Sequence, residues 1–262
     1  APGYKADLAV FDDLRTLNVK QVYKGGKLVA ENGKMLHQKE KNTDWSTEIK
    51  ERVFHSFHRV PITVEELQLK ETTGTHQRVI DMVAHELITK ERIEEWKELP
   101  GVAPGVDISR DIVKLAAIER HKNTGHVGLG FLGKYGLKKG AVATSIGHDS
   151  HNLVIAGVTD EDMVLAGNRV IENGGGLAIA LEGKVLADLP LPIGGLMADE
   201  PVEVVDEKLE HMKKLSVELG ISEDIDAFMT LAFISLPVIP KLRLNTYGVV
   251  DVEKHQVVEA RF

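Results

Sequence analysis

The chain has 262 residues, 43% of them hydrophobic, with 32 Lys and Arg against 40 Asp and Glu for a net charge of −8, and no cysteine. That apolar content suffices for one large domain or two modest ones, and an acidic balance without long blocks of either sign argues against a nucleic-acid partner. The missing thiols exclude disulfides, thiolate metal sites and cysteine nucleophiles.

No apolar run nears the ~18 residues of a membrane span, and the start, Ala1-Pro-Gly-Tyr-Lys-Ala-Asp7, has no signal-peptide core. The expected location is the cytoplasm, with no membrane partner. In the first ~36 residues apolar and polar positions alternate through Leu8, Val10, Val19, Val22, Leu28 and Val29, with breaks at Asp12-Asp13 and Gly25-Gly26. This pattern predicts short antiparallel strands and a tight Gly-Gly hairpin, too small a piece to bury a core and therefore part of a larger sheet. Residues 37–51 are polar and form the linker candidate, which divides the chain into a first domain at 1–50 and a second at 51–262.

Beyond the linker, 78–83, His85-Glu-Leu-Ile-Thr89 and 111–119 read as strands, although the last could be a helix on propensity alone. Gly128-Leu-Gly-Phe-Leu-Gly133 matches the dinucleotide string Gly-x-Gly-x-x-Gly, but no buried strand leads directly into it. Further glycines follow at 136 and 140, so a loop is expected instead. Small apolar residues at 141–144 and the apolar run 153–158 flank the densest polar cluster in the chain, Ser145-Ile-Gly-His-Asp-Ser-His-Asn152.

Two histidines, an aspartate, two serines and an asparagine in eight residues bring proton-transferring and ligating groups into one turn at the edge of a sheet. A lone histidine there would be a surface or capping residue, and the concentration of groups is what favours a site. His148, Asp149 and His151 are the candidate catalytic residues, and Ser150 and Asn152 the candidate substrate-binding ones. His55, His58, His85, His121 and His126 lack paired spacing with a carboxylate and are read as surface residues.

Thr159-Asp-Glu-Asp162 is a capping-box pattern that opens a helix along Met163, Ala166 and Val170 and ends at Gly174. A hairpin follows at 176–189, turning at Glu182-Gly183, and then an apolar loop, Pro190–Met197, expected to be buried or to wall a pocket. A second helix runs from Pro201 to Gly220 with Val202, Val205, Leu209, Met212, Ser216 and Leu219 on one stripe. These elements predict an α/β (α+β) chain, short antiparallel strands of a larger sheet followed by a mixed-sheet α/β domain. The Gly-x-Ser-x-Gly elbow, the phosphate loop and the His-Glu-x-x-His helix do not occur.

Several stretches together resemble the C-terminal part of bacterial adenine deaminases, in the amidohydrolase superfamily: 3–12, 145–152, 159–163, Gly174-Gly-Gly-Leu177, 189–197, Phe228-Met-Thr-Leu231 and Leu236-Pro-Val-Ile-Pro240. The resemblance covers almost the whole chain. It implies hydrolysis of adenine to hypoxanthine and ammonia, two divalent cations (manganese or iron) in the complete enzyme, a catalytic barrel as partner, and a homo-oligomer. It also implies that 1–50 is a β-sandwich segment beside that barrel.

The chain departs from the superfamily pattern in one decisive respect. No His-x-His occurs, and a barrel of ~200 residues has no room before the linker, so the metal ligands are expected on a barrel outside this chain. Fragment, separate subunit and portion of a longer enzyme all remain open. Two further readings stand beside the catalytic one: an interface module whose 190–197 loop buries a contact, and a chain that binds its own metal through His148 and His151.

Overall fold

Alternation in the first 35 positions folds into β1 (Leu8–Phe11), β2 (Val19–Lys24), β3 (Lys27–Glu31) and β4 (Lys34–Met35), a single antiparallel sheet in chain order. Gly25 and Gly26, with φ of 56° and 77°, make the two-residue turn between β2 and β3, a backbone shape whose twist matches the strands. Leu8, Val10, Phe11 and Val19 stay exposed, as expected of a sheet too small to bury a core. The computed structural model describes residues 1–36, 45–69 and 73–262, and the chain divides into two units, Ala1–Ser46 and Thr47–Phe262.

The second unit opens with α1 (Thr47–Phe54), so the end of the polar 37–51 stretch is helical, and 37–44 lie outside the described residues. Its main sheet contains β5 (His76–Met82), β6 (Thr89–Glu95), β7 (Ile112–Ile118), β8 (Val127–Gly133), β9 (Ala141–Thr144) and β10 (Leu153–Gly157). After α2 (Asp160–Glu172) come β11 (Gly176–Leu181) and β12 (Lys184–Pro190). The strand order is β12-β11-β9-β10-β7-β8-β5-β6, antiparallel throughout except for the parallel pair β5 and β8. The fold is α+β with a mixed sheet.

Period-two alternation sorts the central strands onto two cores. Ala116 and Ile118 of β7 with Leu153 and Ile155 of β10 pack on Met163, Ala166 and Val170 of α2. Leu115, Ala117, Val154 and Ala156 face the opposite core. That second core is closed by α3 (Val202–Glu218), α4 (Ala227–Ile234) and a small sheet of β13 (Leu242–Asn245), β14 (Gly248–Asp251) and β15 (Gln256–Val258).

Both predicted helices form. The Thr159 hydroxyl caps α2 by accepting from the Asp162 N–H at 3.3 Å, and three acids occupy the first turn. Pro201 stands just before α3, whose Met212 and Ser216 are buried, with Leu219 just beyond its end, while Val202, expected on the apolar stripe, is exposed. Glu182 and Gly183, at φ of 50° and 76°, turn the β11–β12 hairpin as predicted.

Two expectations are corrected. His85–Ile88 form a turn, and the strand that pairs with β5 starts at Thr89. Its sequence, Thr-Lys-Glu-Arg-Ile-Glu-Glu, hides a strand because it is a sheet edge: charges protect it, and Arg78–Glu91, Arg92–Asp81 and Arg92–Glu94 pairs hold it. Gly128–Gly133 is not a loop but lies in β8, which is almost wholly buried. A Cβ on Gly128 would sit 1.9 Å from the Asn245 carbonyl oxygen, so Gly128 and Gly130 serve close packing against the small sheet, while Gly133 makes room for Asp81 and Arg92.

Candidate functional site

The octad 145–152 is the connection between β9 and β10, two hydrogen-bonded strands in the middle of the sheet. It therefore stands at the end of the central strands and not at a lateral edge. Ser145 is buried and anchors its base, its hydroxyl donating to the Gly195 carbonyl at 2.6 Å and accepting from the Gly176 N–H at 2.7 Å. The Pro190–Met197 loop is thereby fixed against the turn, with Gly195 pressed on Gly175 so closely that a Cβ at 175 would lie 2.3 Å from the Gly195 Cα.

His148 and Asp149 are exposed. The His148 imidazole and an Asp149 carboxylate oxygen are 2.7 Å apart, the His148 ring stacks on Phe233 of α4 at 5.3 Å, and its backbone N–H donates to Ala232 O at 2.9 Å. His151 sits inward at a positive φ of 47°, its ring 6.5 Å from that of His148. Its Nδ1 and the neighbouring Asn152 Oδ1 are buried with no hydrogen-bond partner among the described residues. Ser150 is exposed, and its carbonyl accepts from His121 Nε2 at 2.7 Å.

Arg120, just past the end of β7, supplies what composition and spacing did not reveal. It is buried, donates through Nε to the His151 carbonyl and through Nη2 to the Gly194 carbonyl at 3.1 Å, and lies over the Phe57 ring at 4.9 Å. Nη1 has no partner among the described residues. Burial lowers its pKa to about 10, against the pull of Glu119, so it remains a cation at neutral pH.

Burial first, and then the charges of Arg120, His148 and His121, push His151 below the usual imidazole range, with Asp149 opposing. His151 is thus held neutral and able to accept a proton or a hydrogen bond. Beside it, burial raises the Glu119 carboxyl, and the N–H groups of Thr124, Lys122 and His121 more than offset this, bringing it down to about 2. Glu119 thereby fixes the 119–124 turn that carries His121 to the octad.

Three buried polar atoms, Arg120 Nη1, His151 Nδ1 and Asn152 Oδ1, have no partner among the described residues, and their residues lie at the same end of the paired strands β7 and β10. Of the other candidate histidines, His121 reaches the Ser150 carbonyl and His58 donates its backbone N–H to the Arg120 carbonyl with its side chain exposed, whereas His55 pairs with Glu51, His85 lies in the 83–88 turn and His126 packs on Tyr247. Among the described residues no group of three or more His, Asp or Glu side chains could hold a metal ion, and no helix is long and apolar enough to cross a membrane.

Residues 86–256 match the family model for the adenine deaminase C-terminal domain. The chain belongs to that family. It is 44% identical over 259 residues to adenine deaminase 2 of Carboxydothermus hydrogenoformans, covering 98% of this chain and 44% of that protein. It is 40% identical over 260 residues to adenine deaminase of Lysinibacillus sphaericus, covering 99% of this chain and 44% of that one. The adenine deaminase of Petrotoga mobilis is 42% identical over 255 residues, 97% of this chain and 43% of its own length. The chain thus spans less than half the length of these relatives.

Proposed function

We propose that this chain is the C-terminal region of an adenine deaminase, acting with a catalytic barrel in the hydrolysis of adenine to hypoxanthine and ammonia in the cytoplasm. The observation that carries the reading is identity of 40–44% across nearly the whole chain to proteins named adenine deaminase, each more than twice as long as the matched segment. The first unit, Ala1–Ser46, is then a β-sandwich segment, and its exposed Leu8, Val10 and Val19 call for a covering layer. The division of labour is one domain of strands up to the linker and one α+β domain after it.

The two divalent cations, manganese or iron, belong in this reading to the barrel. The side chains present do not fit a metal: His148 is engaged with Asp149, and His151 Nδ1 is enclosed beside the Arg120 cation, which repels a second positive charge. What the chain contributes is recognition and proton handling. His148, hydrogen-bonded to Asp149, presents an exposed imidazole whose proton the carboxylate orients; neutral His151 accepts; Asn152 offers an acceptor and two donors to a base edge; and Ser150 supplies a hydroxyl.

A structural reading is favoured by one feature, the tying of 145–152 to 190–197 through Ser145 and Arg120, which suits an interface as well as a site. Mixing the chain with a separately produced barrel and following ammonia release from adenine separates the two. Restored activity that His148→Ala or His151→Ala removes supports the catalytic reading, whereas restored activity indifferent to both supports the interface.

A further inference from the structure

A second buried arginine lies where neither the octad nor the family match assigns a role. Arg243 on β13 is 1% exposed. Its Nη1 donates to the Leu242 carbonyl at 3.3 Å and its Nη2 to the Leu87 carbonyl, while Nε has no partner among the described residues. Those two bonds leave most of a guanidinium's five N–H donors uncommitted. Burial alone lowers its pKa, to about 10, so the group is charged at neutral pH with no carboxylate offsetting it.

Such a desolvated cation costs several kcal/mol unless an anion compensates it. Arg243 also lines a cavity of about 210 Å³ between the 83–88 turn and α4, with Met82, Leu87, Ile88, Met229 and Phe233 as its apolar wall. Thr230 adds a hydroxyl to the lining, and Glu86 shares it without forming an ion pair with Arg243 among the described residues. Leu87, Ile88 and Met229 are 53%, 41% and 45% exposed, so the rim as well as the wall is apolar and open to an incoming group.

We propose that this cavity binds a carboxylate carried on a small apolar body, with the anion taken by Arg243 and the body lying against Phe233 and Met82. The carboxylate has two sources, a free organic acid or an acidic side chain from the remainder of the longer enzyme. A neutral body would leave the guanidinium uncompensated, and a small hydrated anion would leave the apolar wall uncovered. Carrying both features is therefore what the cavity selects.

The test is thermal unfolding of the 262-residue chain with benzoate as probe, against benzamide and against sodium chloride at equal ionic strength. Benzoate at about ten times its Kd raises Tm by about 3 °C or more, benzamide and chloride do not, and both Arg243→Met and Thr230→Phe abolish the response. Thr230→Phe fills the cavity and leaves the arginine in place, so it decides the matter if Arg243→Met fails to fold.

An equal response to benzamide, no response up to the solubility limit of benzoate, or a response that survives the variants overturns the proposal. Repeating the titration on the chain joined to its barrel, an arm that rests on the function proposed above, assigns the source. A response that persists there marks a free acid as the ligand, and one that disappears only there marks a cavity already filled by the enzyme's own carboxylate.

Discussion

Lys114, in the middle of β7, and Arg120, just past its end, are both buried cations, yet only one has an anion. The Lys114 ammonium donates to Asp160 at 2.6 Å and to the Leu67 carbonyl at 2.8 Å, and Asp160 also accepts from Gln68 at 2.8 Å. The ammonium is thus paired with a carboxylate, and burial outweighs Asp160 in lowering its pKa. Arg120 is held by two carbonyls and the face of Phe57, with no anion, and its Nη1, near Gly195, has no partner among the described residues. A paired buried charge fixes one arrangement of the fold, whereas an unsatisfied one holds polar capacity in reserve for something that arrives later.

The most severe way to break the contrast is to remove the anion from the paired site. Asp160→Ala leaves a buried, unpaired ammonium and should destabilise the chain by about 3–5 kcal/mol in urea unfolding, while Lys114→Met combined with Asp160→Leu should restore most of that loss. If the single and double variants are equally unstable, the pair is not what Asp160 provides.

Arg120→Met tests the other side. It removes the donors to the His151 and Gly194 carbonyls and should cost about 1–3 kcal/mol, less than the loss at Asp160, while lowering adenine turnover of the joined enzyme by more than this stability loss accounts for. Arg120→Lys should not rescue turnover, because an ammonium cannot span two carbonyls with the planar fork of a guanidinium. Rescue by lysine would reduce Arg120 to a simple charge.

The reach of the sequence follows the same division. Apolar periodicity revealed β7, β10, α2, α3 and the β11–β12 hairpin, because burial on one or both faces writes itself into side-chain spacing. Edge strand β6 stayed hidden since its cross-strand partners are charges, and β8 was obscured by glycines that pack against β14. Helix α4 gave no periodic signal because it is short and apolar on nearly every side, and β13–β15 because each has only three or four residues. The octad was visible as a cluster, but Arg120 was not, since a lone arginine after an apolar run looks like any strand end until its carbonyl partners, distant in sequence, are in place.

The smallest expected effect concerns the 119–124 turn. Glu119 has a folded pKa of about 2, below the ordinary 4.5, so its stabilisation is fully present above about pH 4.5 and is lost as pH falls through the folded value. Glu119→Gln should therefore destabilise by about 1–2 kcal/mol at pH 7, solvent screening allowed for, and the difference from the parent chain should close as pH approaches 2. A gap that does not change with pH would mean that the ionisation of Glu119 contributes nothing to stability.

The proposed reading is that the 145–152 turn serves the adenine reaction while the metal ions sit on the barrel. Its most direct test is steady-state adenine turnover, with metal content measured in parallel, for His148→Ala and His151→Ala in the enzyme joined to its barrel. The account predicts at least a tenfold loss of turnover with Tm and bound metal unchanged; unaltered kinetics in both variants, or a fall in metal stoichiometry with the activity, would contradict it.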